Sequence, residues 1–413
     1  DYGDGRWQTL ENVQFHCQSQ DGTNWFTLQD TLITQRNDVW TQHDVSDGLM
    51  ESVRAVVESQ DGTIWVAGSQ NDIATLARLD NGRWKQTSFP QLSSTLSSRS
   101  VYAAPDGSVW FGAYRPKEKL GQYGGVLVFK KVGGQWNHTH YRPSEEAPHS
   151  PYAVTQTTNG MGWAGQTGLK QFDGTRWTQV IEPSVLNTAW IQSLYADETG
   201  GLWVGTRTHG IFHFDGKVWA QYSVREGLPY NRIIDIEKDK NGLMWVSTPR
   251  GLARFDGQSW TSHVLPDEIT GQLYFDPRGT LWIRDRSITY IYRPENESPE
   301  TWINFSPEEV PQPGNTLISW HGLDAWKATP STELLYSSRL DGQEWSPFSS
   351  DIKKPFFTLS PGQHTLEVRA RDHNFNVDPT PASVTFTVLP PFWQTPIFIF
   401  PSLFTLLVVG FLI

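Results

Sequence analysis

The chain has 413 residues, with 33 Lys and Arg against 44 Asp and Glu and a formal net charge of -11. That length exceeds what one hydrophobic core usually holds and predicts more than one domain. The acidic balance excludes a nucleic-acid binder, which needs a basic field to release phosphate counterions.

The single cysteine, Cys17, excludes an internal disulfide framework. A content of 20 Trp, 35 Gly and 26 Pro with only 19% charged residues suits many short strands joined by tight turns. The chain opens on the polar run Asp1-Tyr2-Gly3-Asp4, which lacks the basic start and apolar core of a signal peptide. Any export signal is therefore expected to be removed or to lie upstream.

A repeat follows. Gly stands three residues before Trp at Gly22/Trp25, Gly62/Trp65, Gly107/Trp110, Gly160/Trp163, Gly200/Trp203, Gly242/Trp245 and Gly279/Trp282. The steps between these tryptophans are 40, 45, 53, 40, 42 and 37 residues. A second series at Trp84, Trp136, Trp177, Trp219 and Trp260 lies between them, mostly after Asp-Gly or Asn-Gly. In one copy, Ile233 to Ile236 is an apolar strand, Asp239 to Gly242 a turn, and Leu243 to Ser247 a second strand. Gly251 to Phe255 and Trp260 to His263 make the third and fourth, separated by the Asp256-Gly257 turn. Four antiparallel strands in about 40 residues is the unit of a propeller blade. The repeated tryptophans are expected to pack between blades and are not offered as a sugar-binding row.

Seven units are expected over residues 11–306. The ends of this array leave two readings open. Asp4 to Trp7 matches a fourth strand, while Thr301 to Phe305 supplies one for unit seven. Residues 1–10 either latch the ring between its first and last blades or are the tail of an upstream repeat. After Pro311 to Gly314 the repeat stops. Strands are expected at Leu317–Trp320, Leu334–Leu340, Phe356–Leu359, His364–Arg369 and Ser383–Leu389, which suits a small β-sandwich over 312–390. From Pro396 to Ile413 no residue is charged. A membrane helix over 393–413, still unfinished at Ile413, is expected, because about 20 apolar residues cross a bilayer. Phe392 and Trp393 suit its interfacial belt.

Gly227-Leu228-Pro229-Tyr230-Asn231, the Asp239–Trp245 turn and strand, Gly251-Leu252 and Phe255-Asp256-Gly257 resemble the two-component regulator propeller repeat. Tyr336, Arg339-Leu340-Asp341-Gly342, Trp345, Leu359-Ser360-Pro361-Gly362 and Val368-Arg369-Ala370-Arg371-Asp372 resemble the three-tyrosine domain, with His364 where an aromatic is expected. The resemblance implies an all-β chain: a seven-bladed β-propeller over 1–306, an immunoglobulin- or fibronectin-like β-sandwich over 312–390, then the C-terminal transmembrane helix. It further implies the sensor region of a membrane-bound two-component protein. Residues 1–392 would be periplasmic and the helix would lie in the inner membrane. Two copies would pair, and a small molecule or oligosaccharide would be the ligand. A cytoplasmic output, most often a histidine kinase with phosphorelay, would follow Ile413. No catalytic residue, cofactor, metal or nucleic-acid partner is expected for these residues. Two rivals stand beside this reading: a membrane-anchored structural or carbohydrate-binding propeller without output, and a propeller-type lyase, which would need a His and acid cluster at the channel mouth.

Strand order predicts a working face. The Asp-Gly and Asn-Gly turns share one face of the disc, so the second-to-third and fourth-to-first connections share the other. On that other face lie Tyr114 and Arg115, Arg207, Arg250 and Arg286, four or five residues beyond a repeat Trp, with His209 nearby. Trp190 and Arg232 stand at the start of inner strands. Arginines converging on one rim suit a carboxylate, sulfate or phosphate, and Trp190 suits a sugar face. Pro116 to Tyr123 lengthens unit three on this side as a candidate lid. His138 and His140 flank Thr139 on one strand face, a weak metal-ligand pattern.

Overall fold

A tight hairpin opens each repeat, in several of them stapled to the repeat tryptophan, and the sixth shows how. The Asp239 carboxylate accepts the backbone N–H groups of Asn241 at 2.8 Å and Leu243 at 3.0 Å, and the Trp245 indole N–H at 3.0 Å. Gly242 sits at φ 87°, a left-handed conformation that side chains disfavour, and its N–H closes the turn on the Asp239 carbonyl at 3.0 Å. The residue six before the tryptophan plays the same part elsewhere: Ser19 accepts from Trp25 at 3.0 Å, Thr157 from Trp163 at 3.4 Å and Asp276 from Trp282 at 3.2 Å.

The computed structural model describes residues 7–92, 98–113, 124–143, 146–263, 269–293, 298–324 and 329–401. The chain forms two compact units, Asp1–Pro294 and Glu295–Ile413. Among the described residues the first unit holds seven four-stranded antiparallel sheets that resemble propeller blades. Their inner strands are Val13–Gln18, Ser52–Glu58, Val101–Ala103, Ala153–Gln156, Ile191–Ala196, Asp235–Lys238 and Gln272–Phe275.

Each repeat tryptophan is buried against the following sheet. Trp65 packs with Phe111 and Leu127 of the third sheet, Trp203 with Ile236 and Val246 of the sixth, and Trp245 with Leu273 and Ile283 of the seventh. The seventh tryptophan, Trp282, packs with Phe15 and Phe26 of the first, so the sheets succeed one another in a closed cycle. The large aromatics are therefore the packing between sheets, as the repeat spacing predicts.

Closure uses the start of the chain. Trp7–Glu11 runs antiparallel to Ile288–Tyr292 and completes the seventh sheet, with Trp7 opposite Tyr292 and Glu11 opposite Ile288. Of the two readings left open for this segment, the latch is the one observed. The expectation that Thr301 to Phe305 supplies that strand is corrected: Glu300–Phe305 pairs with Thr316–Leu323 in the second unit. The boundary thus falls before residue 300, not after 306. Trp302 stands opposite His321 in that ladder and stacks on it at 5.2 Å, so it belongs to the second unit's sheet.

The second unit has a three-stranded sheet (Glu300–Phe305, Thr316–Leu323, Lys353–Phe356) and a four-stranded one (Glu309–Val310, Ala382–Val388, Gly362–Arg371, Leu335–Leu340). Ile318, Trp320 and Phe356 from the first meet Tyr336, Leu366, Val368, Phe386 and Val388 from the second in one core. His364 is buried with its ring 5.7 Å from that of Phe386, and both ring nitrogens are bonded, Nδ1 to Asp341 at 2.7 Å and Nε2 to the Ser360 carbonyl at 2.8 Å. Of the membrane helix expected over 393–413, residues 396–401 are helical and 402–413 lie outside the described residues. Among the described residues no helix is long and apolar enough to cross a membrane.

Candidate functional site

One loop device appears on two successive sheets. In the fifth, the buried Thr206 hydroxyl donates to the Gly210 carbonyl at 2.8 Å and accepts the His209 N–H at 2.9 Å. Gly210 is at φ 74°, and its N–H donates to the Asn231 carbonyl at 2.9 Å. In the sixth, Thr248 donates to the Gly251 carbonyl at 2.8 Å and accepts the Arg250 N–H at 3.1 Å, with Gly251 at φ 98°. A Thr ending the second strand and a Gly opening the third thus hold each short loop from beneath.

Each loop lays an arginine on an aromatic ring. The Arg207 guanidinium lies 5.8 Å from the Trp190 ring centroid, and the Arg207 N–H donates to the Trp190 carbonyl at 2.9 Å. The Arg250 guanidinium lies 4.9 Å from the Tyr230 ring. Such stacking contributes about 0.5–1 kcal/mol at exposed sites and leaves the guanidinium edge facing outward. Beside the first pair, His209, Gln221, Ser223, Arg225, Glu226 and Asn231 are among the residues that line a groove of about 350 Å³. His209 Nδ1 is 2.9 Å from the Thr208 hydroxyl.

The other sequence-predicted residues are placed as follows. Arg232 and Arg286 are exposed and make no hydrogen bond or ion pair with described residues. Arg286 holds a turn position at φ 47° between Leu281–Asp285 and Ile288–Tyr292. Tyr114, Arg115 and the candidate lid 116–123 lie outside the described residues. His138 stacks on Phe129 at 5.2 Å, and His140 Nε2 meets the Gly124 carbonyl at 2.7 Å, so the pair is engaged in packing and backbone contacts. Among the described residues no three His, Cys, Asp or Glu stand together as metal ligands.

Sequence reasoning missed a second locus, along the inner strands. The residue paired with each repeat tryptophan forms a column: Cys17, Val57, Tyr102, Thr155, Tyr195, Glu237 and Tyr274. Part of it lines a cavity of about 310 Å³ with Phe15, His16, Gln272, Trp282 and Arg284. Burial, and then the neighbouring Asp235, pushes the Glu237 carboxyl up to about 8. Burial, reinforced by Arg99, pulls Arg284 down to about 10. Burial and Arg284 hold His16 well below the usual imidazole range. Arg284 Nη1 donates to His16 Nδ1 at 2.8 Å, and its Nη2 donates to Gln272 Oε1. His16 Nε2 is 3.0 Å from the Thr27 hydroxyl. With Nδ1 accepting, Nε2 carries the proton, so neither ring nitrogen is poised to abstract one. The signal for this locus was the tryptophan register itself, which brings a carboxylate and three tyrosines to one level.

Comparison with known proteins agrees with the repeat. The family model "Two component regulator propeller" matches residues 185–208 and 227–250, segments that carry both arginine–aromatic pairs. No curated protein sequence matches the chain significantly. Among solved structures, the chain is similar to the extracellular domain of BT3049, named as a hybrid two-component system of B. thetaiotaomicron. The identity is 17% and the TM-score 0.56, covering 93% of this chain and 58% of that one. The extracellular domain of BT4673 from the same organism matches at 18% identity and TM-score 0.52, covering 95% and 58%. Virginiamycin B lyase from Staphylococcus aureus matches at 13% identity and TM-score 0.52, covering 69% and 98%. Identities this low establish a shared β-propeller fold and nothing finer, and the chain spans 58% of the length of each sensor domain it matches.

Proposed function

We propose that this chain is the extracytoplasmic ligand-sensing region of a transmembrane signalling protein. In this reading the seven sheets are the blades of one propeller, the second unit is an immunoglobulin-like sandwich of the three-tyrosine type, and a membrane helix follows. The observation that carries it is the recurrence of arginine on aromatic ring at Arg207/Trp190 and Arg250/Tyr230, inside the segments that match the sensor repeat. A guanidinium held over a ring offers a fork of N–H donors to an oxyanion, and the uncovered part of the ring offers a sugar an apolar face. The ligand class is therefore an anionic oligosaccharide fragment or a small carboxylate. Ligand bound unequally by two arrangements of a homodimer shifts the balance between them. That shift passes through the sandwich to a cytoplasmic output, a histidine kinase with phosphorelay.

The test is thermal-shift screening of anionic and neutral oligosaccharides against the parent chain, Arg207→Ala and Arg250→Ala. The expected result is an anionic hit weakened at least about tenfold in each variant, equivalent to about 1.4 kcal/mol. A hit bound equally by all three proteins overturns the choice of face. A coding sequence in which a stop follows the apolar segment overturns the signalling output.

A further inference from the structure

The inner-strand column holds a carboxyl, Glu237, that a backbone N–H at Lys238 serves but no cation among the described residues pairs with. Glu237 lines the 310 Å³ cavity, and no side chain among the described residues hydrogen-bonds or ion-pairs with it. Its nearest cation along the strand, Lys238, reaches Glu198 instead, at 3.9 Å. Asp235, two residues earlier, is engaged by the Ser193 hydroxyl at 2.6 Å, the Leu273 N–H at 3.0 Å and Arg99 at 4.0 Å.

The cavity that Glu237 lines is walled by the aromatics Phe15, Tyr102, Tyr274 and Trp282 and by aliphatic side chains such as Val57 and Leu273. Tyr102, Tyr195 and Tyr274 come from three other inner strands at the same register level, close enough for the Glu237 charge to bias each phenol. The Tyr102 hydroxyl donates to the Gln156 carbonyl at 3.2 Å and that of Tyr274 to the Gln18 carbonyl at 3.2 Å, so neither proton is directed at the carboxyl. Phe15 stacks on Trp282 at 4.1 Å and meets Tyr274 edge-on at 5.2 Å, completing an apolar wall. Arg284 and His16 also face the cavity, but from the level of Gln272, two residues along the strand from Tyr274 and about 7 Å away.

From this juxtaposition we infer that the cavity binds a small organic ammonium, its positive centre on the Glu237 carboxylate and against the rings of Tyr102 and Tyr274. A carboxylate with no cationic partner, beside the rings of Phe15, Tyr102, Tyr274 and Trp282 in one cavity, is chemistry that recognises alkylammonium groups. A volume of this size admits about ten non-hydrogen atoms, allowing about 30 Å³ for each. The positive Arg284 at the other level confines the cationic centre to the Glu237 end. Cys17, although in the same column, takes no part: burial pushes its thiol up to about 12. Occupancy by a cation requires the ionised carboxylate, so binding near neutral pH expels the proton that Glu237 otherwise holds. This site does not depend on the loop-face reading, and Arg207→Ala is expected to leave it unchanged.

The experiment is calorimetric titration of choline, and of its uncharged carbon isostere dimethylbutanol, into the full chain. The proteins are the parent, Glu237→Gln and the cavity-filling Val57→Trp. Choline is expected to bind at least about tenfold more tightly than the isostere, with affinity rising between about pH 7 and about pH 9. Its heat at the lower pH is expected to depend on buffer ionisation, which reports the released proton. Both substitutions are expected to abolish binding, and Val57→Trp does so without altering the carboxyl. Equal binding of choline and isostere, undiminished binding by Glu237→Gln, or no binding of choline to the parent at millimolar concentration would each overturn the proposal.

Discussion

Phe15 and Trp282 stack with ring centroids 4.1 Å apart and planes inclined by only 15°, joining the first sheet to the seventh. The contact is reinforced by Thr289, whose hydroxyl donates to the Val13 carbonyl at 2.8 Å and accepts the Phe15 N–H at 3.1 Å. Removing a buried indole leaves a void that neighbours fill only in part. Trp282→Ala is expected to cost about 3–5 kcal/mol, and Thr289→Val about 1–2 kcal/mol, in urea unfolding. An unchanged midpoint for Trp282→Ala would show that closure does not depend on this stack.

The Asp239 turn offers a separable test. Its two oxygens serve two backbone N–H groups and the Trp245 indole. Asp239→Ala should lose about 2–3 kcal/mol, whereas Asp239→Asn keeps an oxygen for the backbone and should lose about half of that. Equal losses for the two variants would mean that the indole bond, not the turn, dominates.

Gly210 anchors the loop that carries Arg207 and His209. A Cβ there would stand 2.0 Å from the Tyr222 carbonyl oxygen, at a φ of 74°. Gly210→Ala is therefore expected to destabilise the chain by about 2–4 kcal/mol, measured by denaturant titration, and to displace the Arg207 loop. Gly216, with open space around its Cβ position, is the control: Gly216→Ala meets only the backbone strain of φ 94° and should cost about 1 kcal/mol.

Two groups make stability depend on pH in separate units. In the second unit the Ser360 carbonyl, and then Asp341, raise His364 above its usual 6.5, while His364 helps lower Asp341 below 3.8. The pair contributes fully between those two ordinary values. Its contribution fades on acidification as Asp341 protonates, and on alkalinisation as pH rises through the elevated His364 value. His364→Asn should flatten the alkaline limb, a change of about 1–3 kcal/mol followed by denaturation at several pH values.

In the first unit the sign is different. Glu237 titrates at about 8 when folded against 4.5 when unfolded, so the unfolded chain releases the proton first. Stability without ligand is expected to fall as pH climbs from 4.5 to about 8 and then to level off. Glu237→Gln should remove that slope and gain about 2–4 kcal/mol at the alkaline end. A parallel pH profile for parent and variant would show that the carboxyl is already ionised in the fold.

Much of this architecture was legible because one turn is written seven times. Gly-x-x-Trp locates the first hairpin of every sheet, and the strand order then assigns Arg207 and Arg250 to one set of loops. Their partners were less visible. Tyr230 stood in plain sight within the repeat motif, yet only the fold brings it under Arg250. The fourth strand of the seventh sheet was misread because its partner is nearly 280 residues away in sequence (Glu11 opposite Ile288), and local pattern carries no information about such pairing. The absence of Asp-Gly before Trp302 was the available warning. The Glu237 column was hidden differently. Register shifts between Phe15 and Cys17, Val53 and Ala55, and Ile191 and Ser193 break the two-residue alternation by which inward positions are counted. Only the tryptophan opposite each position keeps the level.

The latch strand also decides how the ring yields to force. Trp7 lies opposite Tyr292, so the chain entering the ring and the chain leaving it meet at the same end of a five-pair antiparallel ladder. Tension drawn outward from these two points does not load the ladder in shear. It peels the pairs apart one at a time, beginning at Trp7–Tyr292 and ending at Glu11–Ile288. The other six sheets close within their own sequence and have no such seam, so mechanical opening of the disc starts within its last sheet, where the latch strand parts from Ile288–Tyr292.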